Sequence, residues 1–354
     1  MTSRTCIVTG GAGFIGCALS ASLAERFDKV VALDILHPQI HATRERPAAL
    51  DPRVELVVGD VCDSTAWDAL LARARPDVIV HLAAETGTGQ SLTEATRHAR
   101  ANVVGATAML DALTRARTAP KRFVLSSSRA VYGEGAWRAP SGEVFYPGQR
   151  SIAQLEAGRW DFAGTPLPMQ ADALRPAPVS VYGATKLAQE HVLSAWCVAT
   201  GSERVVLRFQ NVYGPGQSLI NAYTGIVSLF CQLARKGQSI PLYEDGNMLR
   251  DFILIDDVAA SVIRAIEAPS GVDGRVFDIG QGVGATIAEM AREIAAIYGA
   301  PAPHVCGKFR FGDVRHAYCD TTQAREALGW APSATLPEGL RRLSNWIETQ
   351  LERA

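Results

Sequence analysis

The 354-residue chain lacks any apolar run close to the roughly 20 residues that a membrane-spanning helix needs. It also lacks a charge excess, because 35 Lys and Arg residues face 36 Asp and Glu residues, for a net charge of −1. This balance excludes a strongly basic nucleic-acid-binding protein and a polybasic membrane anchor. Residues 1–10 show no signal-peptide pattern. We therefore expect a cytoplasmic protein with neither nucleic acid nor membrane among its partners.

Cysteine usage argues against a metal or disulfide framework. The seven cysteines are an odd number and contain no Cys-x-x-Cys pair. This favours buried, reduced thiols over disulfides or a zinc site. The hydrophobic fraction of 47% beside 20% charged residues is typical of a globular enzyme with a sizeable core. We expect no metal site.

The first half alternates short apolar segments with amphipathic ones. The strands predicted from this pattern are Thr5–Thr9, Lys29–Leu33, Val54–Val58, Val78–Leu82 and Arg122–Ser126, and the helices lie near Phe14–Arg26, Ala66–Ala74 and Leu92–Ala116. Alternation of this kind is typical of an α/β fold with a doubly wound parallel sheet covered by helices on both faces.

The second half is less regular. Residues 134–178 are rich in Gly, Pro and Ala with little periodicity, which predicts a long insert of functional importance. A helix over Val181–Ala199, a strand over Arg204–Phe209 and a last helix over Leu336–Leu351 follow. We expect residues 1–200 to form a cofactor-binding domain that includes the insert. Residues 201–354 would form mainly a smaller mixed α/β substrate domain, interleaved with late elements of the sheet.

A glycine-rich turn links the first predicted strand to the first predicted helix. Gly10, Gly13 and Gly16 form G-x-x-G-x-x-G, with Phe14 and Ile15 at the start of the helix. Glycines allow a tight turn and the close approach of a pyrophosphate, which the free N–H groups at a helix start then bind. Asp34 ends the second strand, where its carboxylate accepts the ribose hydroxyls and repels a 2′-phosphate. The pattern predicts a Rossmann-type site for NAD rather than NADP.

Two further strand ends belong to the same predicted crevice. Asp60 and Val61 follow the third strand, and Asp60 would accept from the adenine amino group. Leu82, Ala83 and Ala84 follow the fourth strand, where the small alanines leave room for the cofactor. His81, by contrast, is interpreted as a packed structural group.

A candidate proton-transfer group lies on the helix after the insert. Tyr182 and Lys186 are four residues apart, hence on one helix face. A neighbouring lysine is expected to lower the pKa of a phenol toward a useful range. Residues 126–128 are all serine and end the fifth strand, so that a hydroxyl there points into the crevice.

Together these motifs resemble the extended short-chain dehydrogenases/reductases, in their nucleotide-sugar epimerase and dehydratase branch. The resemblance runs from the glycine turn, Thr9–Gly16, to Leu328-Gly-Trp330. It implies that Ser128, Tyr182 and Lys186 are catalytic and that Lys186 holds the nicotinamide ribose. It also places Ser126 and Asn102 beside the cofactor.

The resemblance implies a nucleotide-sugar site in the second half. By its motifs, Asn211 contacts the substrate diphosphate, Arg250 reaches substrate phosphate or ribose, Arg310 binds the diphosphate, and Asp313 binds the nucleoside ribose. Planar guanidinium groups suit a diphosphate. Glu85, Thr86 and Arg129 occupy strand-end positions suited to the sugar, and Ser128 also contacts it.

Within this branch the chain looks most like the dTDP-L-rhamnose 4-epimerase subgroup. The likeness rests on the segments around Ser127–Gly135, His81–Gly87 and Ala157–Trp160. Relatives with an insert here carry cysteine pairs in some cases, but residues 134–178 contain no cysteine. A zinc-stabilised insert is therefore excluded.

The expected function is an NAD-dependent nucleotide-sugar epimerase acting at C4 through a transient 4-keto sugar, with a dTDP- or UDP-sugar as substrate. A dehydrogenase or ketoreductase, and a 4,6-dehydratase, are alternatives on the same scaffold. Arg129 and Ala130 replace the Asp-Glu pair expected of a dehydratase, which argues against dehydration. A non-catalytic NAD-sensing protein would not need Ser128, Tyr182 and Lys186. The resemblance also implies a homodimer formed through the helices near Leu92–Ala116 and Val181–Ala199.

Overall fold

A seven-stranded parallel sheet forms the centre of the protein, in a computed structural model that describes residues 4–219 and 225–351. The strands are β1 Thr5–Thr9, β2 Lys29–Asp34, β3 Glu55–Val58, β4 Val78–His81, β5 Arg122–Ser128, β6 Trp137–Arg138, β7 Val144–Phe145, β8 Thr165–Pro166, β9 Glu203–Phe209, β10 Asn211–Tyr213, β11 Pro241–Leu242, β12 Leu249–Arg250, β13 Phe252–Leu254, β14 Val276–Ile279, β15 Ala285–Thr286, β16 His304–Val305 and β17 His316–Ala317.

Helices cover this sheet and build the second half. They are α1 Phe14–Ala24, α2 Ser64–Leu71, α3 Thr88–Thr93, α4 Ala95–Ala99, α5 Gly105–Arg115, α6 Ile152–Glu156, α7 Val181–Thr200, α8 Ile226–Arg235, α9 Ile255–Glu267, α10 Ile287–Tyr298, α11 Thr322–Leu328 and α12 Leu336–Leu351. A π-helical turn spans Arg100–Val104, and 3-10 turns span Arg129–Tyr132 and Ser270–Val272.

The strand order in the central sheet is β14-β9-β5-β4-β1-β2-β3, and all six pairings are parallel. Because the chain moves outward from β1 in both directions, β1 and β4 flank the point at which ligands bind in sheets of this type. Apolar side chains from α1, α9 and α11 pack on one face of the sheet, and those from α2, α5 and α7 pack on the other. The predicted doubly wound α/β fold is confirmed.

The remaining strands form small sheets in the second half. β12 pairs with β15 and β17, β10 pairs with β13, and β11 pairs with β16. Helices α8, α10 and α12 bury an apolar cluster of their own beside these sheets. β14, although late in the chain, belongs to the central sheet. The division of the chain into two domains at residue 200 stays a prediction.

The prediction of a continuous helix near Leu92–Ala116 was wrong, and the insert contains more regular structure than its weak periodicity indicated. The helix predicted near Leu92–Ala116 is broken, because Glu94 leaves helical geometry (φ −122°, ψ 45°) and a π-helical turn precedes α5. The insert, residues 134–178, is not structureless: β6 pairs with β7 and β8 in an antiparallel sheet, and α6 lies between β7 and β8. Strands of two residues carry no readable periodicity, which explains why the pattern did not reveal them.

All seven cysteines are free thiols. Among the residues that the structure describes, no group of three or more His, Cys, Asp or Glu side chains is arranged to hold a metal ion. No helix within the described ranges has the length and apolarity needed to cross a bilayer.

Candidate functional site

The turn between β1 and α1 has the geometry of an anion cradle. Gly10 has a φ of +65°, and a Cβ there would lie 2.8 Å from the backbone nitrogen of Ala83. Only glycine therefore lets the turn pack against the end of β4. Gly13 is the N-cap of α1 and provides no side-chain cap, so the first-turn N–H groups over residues 14–16 have no side-chain acceptor from that position. These donors suit a pyrophosphate.

Asp34 is fixed beside this turn. Its Oδ2 accepts from the backbone N–H of Ala12 at 3.0 Å, and its Oδ1 accepts from that of Leu36 at 2.8 Å. The side chain is thereby oriented at the carboxyl end of β2, and each carboxylate oxygen keeps a second lone pair. The arrangement fits the recognition of a ribose diol.

The other predicted cofactor contacts lie at the same edge of the sheet. Asp60 and Val61 follow β3, and the Asp60 carboxylate accepts from the backbone N–H of Cys62 at 2.8 Å. Residues 82–84 follow β4, and Ala83 contacts the glycine turn as described above. The structure thus brings the turn and the ends of β2, β3 and β4 together. Contact of these residues with NAD stays a prediction.

Asn102 holds the loop that follows β4. Its side chain is fully buried and exchanges two hydrogen bonds with the backbone of Glu85, at 2.8 and 3.0 Å. It also donates to the hydroxyl of Thr185 on α7 at 2.9 Å. The π-helical turn aims this amide, which fits the tendency of such turns to occur at functional sites. Asn102 therefore positions the loop after β4.

That loop holds two of the predicted sugar contacts. The Glu85 carboxylate pairs with Arg97 at 2.9 Å, and the Thr86 carbonyl lies 3.2 Å from the His98 ring. Both residues lie between β4 and α3, in the segment that Asn102 fixes. Their contact with a sugar stays a prediction.

The three serines at the end of β5 have different partners. Ser126 donates to the carbonyl of His81 at 3.1 Å, and Ser127 donates to the carboxylate of Glu190. The Ser128 hydroxyl accepts from the backbone N–H of Ala130 at 3.1 Å. Of the three, Ser128 is the one that acts on the phenol of Tyr182, whose pKa it lowers.

The start of α7 packs closely against the turn that follows β5. Ser180 caps the helix by accepting from the Gly183 N–H at 3.0 Å, and the buried Ser91 accepts from the Tyr182 N–H at 3.1 Å. A Cβ at Gly183 would lie 2.3 Å from the carbonyl oxygen of Ala130. The glycine thus allows the approach that brings Tyr182 to Ser128.

Electrostatics at the phenol differ from the expectation. Burial raises the pKa of Tyr182, while the interaction with Ser128 and the positive charge of Arg129 lower it. The cation that acts on the phenol is Arg129, and not Lys186 as the sequence suggested. Burial lowers the pKa of Lys186 to about 7, against the opposing influence of Glu190. A long side chain four residues along a helix reaches several directions, and here the Lys186 ammonium donates to Gln189 at 2.6 Å.

His81 is a structural group, as its isolated position in the sequence indicated. The ring is buried between the Thr9 hydroxyl, 2.7 Å from Nδ1, and the Gln189 amide, 3.0 Å from Nε2. Burial, helped by the charge of Lys186, lowers the pKa of His81 to about 3. A neutral histidine therefore links β1, β4 and α7.

Two arginines lie together on the substrate side of Tyr182. Arg129 donates from Nε to the side-chain oxygen of Asn211 at 2.9 Å. Burial and the charge of Arg250 lower the pKa of Arg129 to about 9. Burial also lowers the pKa of Arg250, while the charges of Asp313 and Glu134 raise it. Two like charges that act on each other in this way favour the binding of an anionic ligand between or beside them.

Arg250 and Arg310 differ in their surroundings. The buried Arg250 guanidinium donates to the main-chain oxygens of Val314 at 2.7 Å and Leu249 at 2.8 Å. Arg310 is exposed, with its guanidinium 5.9 Å from the centre of the Tyr243 ring. Arg250 therefore already holds the 310–316 segment in place. Phosphate binding by either arginine stays a prediction.

Several residues that support the site were not predicted from the sequence. Glu190 accepts from Ser127 and forms a buried ion pair with Arg208 at 2.7 Å. The Arg208 guanidinium lies 4.8 Å from the Tyr132 ring, whose hydroxyl donates to Asp278. One signal was available, because positions 182, 186 and 190 form a single stripe along α7. The partners on other strands carry no such signal.

Known proteins with similar sequences point to the same kind of site. A family model described as the NAD dependent epimerase/dehydratase family matches residues 6–280. The chain is 58% identical to the dTDP-L-rhamnose 4-epimerase of Burkholderia thailandensis over 349 residues, which cover 98% of this chain and 96% of that protein.

Solved structures with similar folds include two UDP-glucose 4-epimerases. The Thermotoga maritima protein, solved with UDP-glucose, has a TM-score of 0.81 and 27% identity, with 98% of this chain and 100% of that chain covered. The Thermus thermophilus protein, solved with NAD, has a TM-score of 0.77 and 26% identity, with 98% and 99% covered. The chain belongs to the NAD dependent epimerase/dehydratase family, and the prediction of NAD as its cofactor is confirmed.

Proposed function

We propose that this protein is an NAD-dependent nucleotide-sugar 4-epimerase that interconverts dTDP-L-rhamnose and its C4 epimer. The observation that supports the proposal is that Ser128 and Arg129 both act on the phenol of Tyr182, and that the charge of Arg250 acts in turn on Arg129, which donates to Asn211 at 2.9 Å. A proton-transfer phenol beside an anion-binding group matches a sugar attached to a diphosphate. The 58% identical relative supports the dTDP-L-rhamnose assignment.

The protein's own groups prepare the sugar for reaction. Tyr182, as phenolate, takes the proton of the C4 hydroxyl and later returns it, and Ser128 orients the same oxygen. NAD, when bound, supplies the redox chemistry that converts C4 to a ketone and back. Gly10, Gly13 and Asp34 would hold that cofactor, with Lys186 at its nicotinamide ribose.

Inversion at C4 requires that the 4-keto sugar turn over inside the site while the nucleotide stays in place. Arg129 with Asn211, and Arg310 with Asp313, would retain the nucleoside diphosphate during that rotation. Fixed donors of this kind lower the barrier by holding the reacting atoms in position.

The site does not match the rival activities: it lacks groups that one of them needs, and it has groups that another would not need. A 4,6-dehydratase needs acid and base groups after the serine, whereas Arg129 is a cation paired with Asn211. A dehydrogenase would release NADH in proportion to product. A non-catalytic NAD sensor would not need the Ser128–Tyr182 interaction. We therefore favour epimerisation.

We also propose a cytoplasmic homodimer, with cofactor binding mainly by residues 1–200 and substrate binding mainly by residues 201–354. The exposed apolar side chains Leu92, Val104 and Val198 lie on or beside the helices assigned to the dimer interface. Light scattering after size-exclusion chromatography tests this assembly. A monomeric mass at micromolar concentration would contradict it.

The activity is tested directly by incubating the NAD-loaded protein with dTDP-L-rhamnose and following the sugar H4 signal by NMR. We expect a second set of signals for the C4 epimer, at equilibrium with the first and without NADH absorbance. UDP-glucose in a parallel sample tests the nucleotide and sugar preference. Stoichiometric NADH, a dehydrated product, or turnover of UDP-glucose alone would contradict the proposal.

A further inference from the structure

A buried cluster of charges joins the insert to the second half of the chain. It consists of Glu134 and Arg150 from the insert and Glu244 and Arg315 from the second half, and we call these four residues the charge cluster. Their side chains are at most 2% exposed. Buried charges are costly unless their partners are well placed, so this cluster fixes the geometry of the segments that carry it.

Arg150 makes the connection between these segments. Its guanidinium donates to both carboxylate oxygens of Glu244, at 2.8 and 2.9 Å, in a bidentate pair. The same group donates to the main-chain oxygen of Asp313 at 2.8 Å and to that of Trp160 at 3.2 Å. One side chain from the insert thus holds two separate segments of the second half.

Glu244, the partner of Arg150, has an uncommon backbone conformation. Its φ is +53°, in the left-handed region that non-glycine residues rarely enter. Its N–H donates to the carbonyl of Lys308 at 2.7 Å. The preceding residue, Tyr243, lies beneath the Arg310 guanidinium. The Arg150–Glu244 pair therefore also bears on the position of Arg310.

Glu134 closes the cluster on the side of the catalytic groups. Its Oε2 accepts from the Arg315 N–H at 2.7 Å, and its Oε1 lies 3.4 Å from Nε of Arg150. Its charge acts on both Arg129 and Arg250. The 310–316 segment is thus held by Arg150 at Asp313, and by Glu134 and Glu244 at Arg315.

We propose that Arg150 is a positioning residue for the nucleotide-sugar site. By holding Glu244 and the main chain of Asp313, it sets where Arg310 and Asp313 meet the nucleoside diphosphate. The insert thereby takes part in substrate recognition through its contacts with the second half. This inference rests on the proposed function, because it assigns Arg310 and Asp313 to the substrate.

The test compares Arg150→Met, the double variant Arg150→Met/Glu244→Met, and the control Arg159→Met, which removes the same charge from an exposed position of the same insert. The single variant leaves the buried Glu244 carboxylate with Arg315 as its remaining cation and is expected to melt earlier. Replacing both partners by apolar groups is expected to recover much of the melting temperature.

The decisive readouts are the Kd of NAD-loaded protein for dTDP by calorimetry, and KM and kcat with dTDP-L-rhamnose. Loss of the Asp313 anchor predicts a Kd and a KM about 10- to 100-fold higher in Arg150→Met, the scale of a charge-assisted hydrogen bond. The double variant, which also loses the Glu244 contact at Arg315, is expected to show an increase at least as large. We expect kcat to change less than KM, NAD affinity to stay as in the wild type, and Arg159→Met to behave as the wild type.

The results separate this inference from the proposed function. A stable double variant that binds dTDP as tightly as the wild type would overturn the role of Arg150 and leave the epimerase assignment intact. A wild-type protein that binds dTDP but epimerises no sugar would overturn the proposed function, while weaker dTDP binding by the double variant would still support positioning by Arg150. A wild type that does not bind dTDP would overturn both.

Discussion

Arg129 has two roles that the geometry ties together. It pairs with Asn211 on the substrate side, and its charge lowers the pKa of Tyr182 on the catalytic side. The phenol must lose its proton before it can accept one from the sugar. A nearby cation favours the phenolate, so the proposed substrate contact and the proposed activation of the base would depend on the same guanidinium.

This coupling predicts a shift in the pH profile of Arg129→Met. Removal of the charge raises the pKa of Tyr182, so the alkaline-rising limb of kcat moves to higher pH. The rate at a fixed pH below the limb then falls by about tenfold per unit. Arg129→Lys keeps the charge and should keep the limb near its wild-type position. If the alkaline-rising limb of Arg129→Met stayed at its wild-type pH, the charge of Arg129 would not control the pKa of the Tyr182 phenol.

Asp34 predicts the choice between the two nicotinamide cofactors. Its carboxylate is oriented by the Ala12 and Leu36 N–H groups, and in that position it would accept ribose hydroxyls and repel a 2′-phosphate. We expect NAD to bind about tenfold or more tightly than NADP, on the scale of a charge-assisted hydrogen bond. Calorimetric titration of the wild type and Asp34→Asn measures this preference, and it should shrink in the variant. Equal affinities in the wild type would refute the assignment.

Helix α7 is the element that assembles the site. Its first turn packs against the turn after β5, and its stripe of Tyr182, Lys186 and Glu190 faces the carboxyl end of the sheet. Gly183 permits the contact, because a Cβ at that position would lie 2.3 Å from the Ala130 carbonyl oxygen. The distance between helix and turn therefore controls the relation of Tyr182 to Ser128.

Gly183→Ala should separate these elements. The added Cβ must push the helix start away from the turn, and a misplacement of this kind costs about 10- to 100-fold in kcat. Ala184→Ser, an exposed change at the next position of the same helix, serves as the control. Steady-state kinetics with calorimetric NAD binding checks the prediction. Wild-type kcat in Gly183→Ala would mean that the close approach is not needed.

The sequence predicted the elements whose signals are local. The glycine turn, Asp34 and the Tyr182–Lys186 spacing lie on strongly patterned segments. Six of the seven central strands are within two residues of their predicted ends, whereas β14 was not predicted. The break at Glu94 was not predictable, because helix propensity is a weak signal that tertiary contacts override. The partnership of Gln189 with His81 spans 108 residues and depends on the strand order. The charge cluster likewise exists only once the insert has docked.

At the scale of the whole molecule, one chain of hydrogen bonds connects the two halves of the crevice. It runs from Lys186 through Gln189 and His81 to Thr9, which precedes the glycine turn. The chain requires a neutral imidazole ring, with one nitrogen donating and the other accepting. Protonation of His81 would break the acceptor end, and burial opposes it by lowering the pKa to about 3.

This histidine predicts a pH dependence of stability. The unfolded chain binds a proton on His81 below a pH of about 6.5, whereas the folded chain does not until about pH 3. The neutral His81 therefore makes its full contribution to the free energy of unfolding above a pH of about 6.5. Below that pH the contribution falls by about 1.4 kcal/mol for each unit by which the pH is lowered. Urea unfolding at pH 7 and at pH 5 measures this effect. Between the two pH values, the free energy of unfolding should decrease less for His81→Gln than for the wild type. Equal losses would contradict the assignment of a neutral, buried ring.

The central claim is that Tyr182 exchanges a proton with the C4 hydroxyl while C4 keeps its own hydrogen. The most direct measurement uses dTDP-L-rhamnose deuterated at C4, with the wild type and Tyr182→Phe, followed by mass spectrometry and NMR of the product. We expect the wild type to give the C4 epimer with the deuterium still on C4. Tyr182→Phe should bind dTDP normally but turn over about 100- to 10,000-fold more slowly. Loss of the label to solvent, or full activity in Tyr182→Phe, would contradict the account.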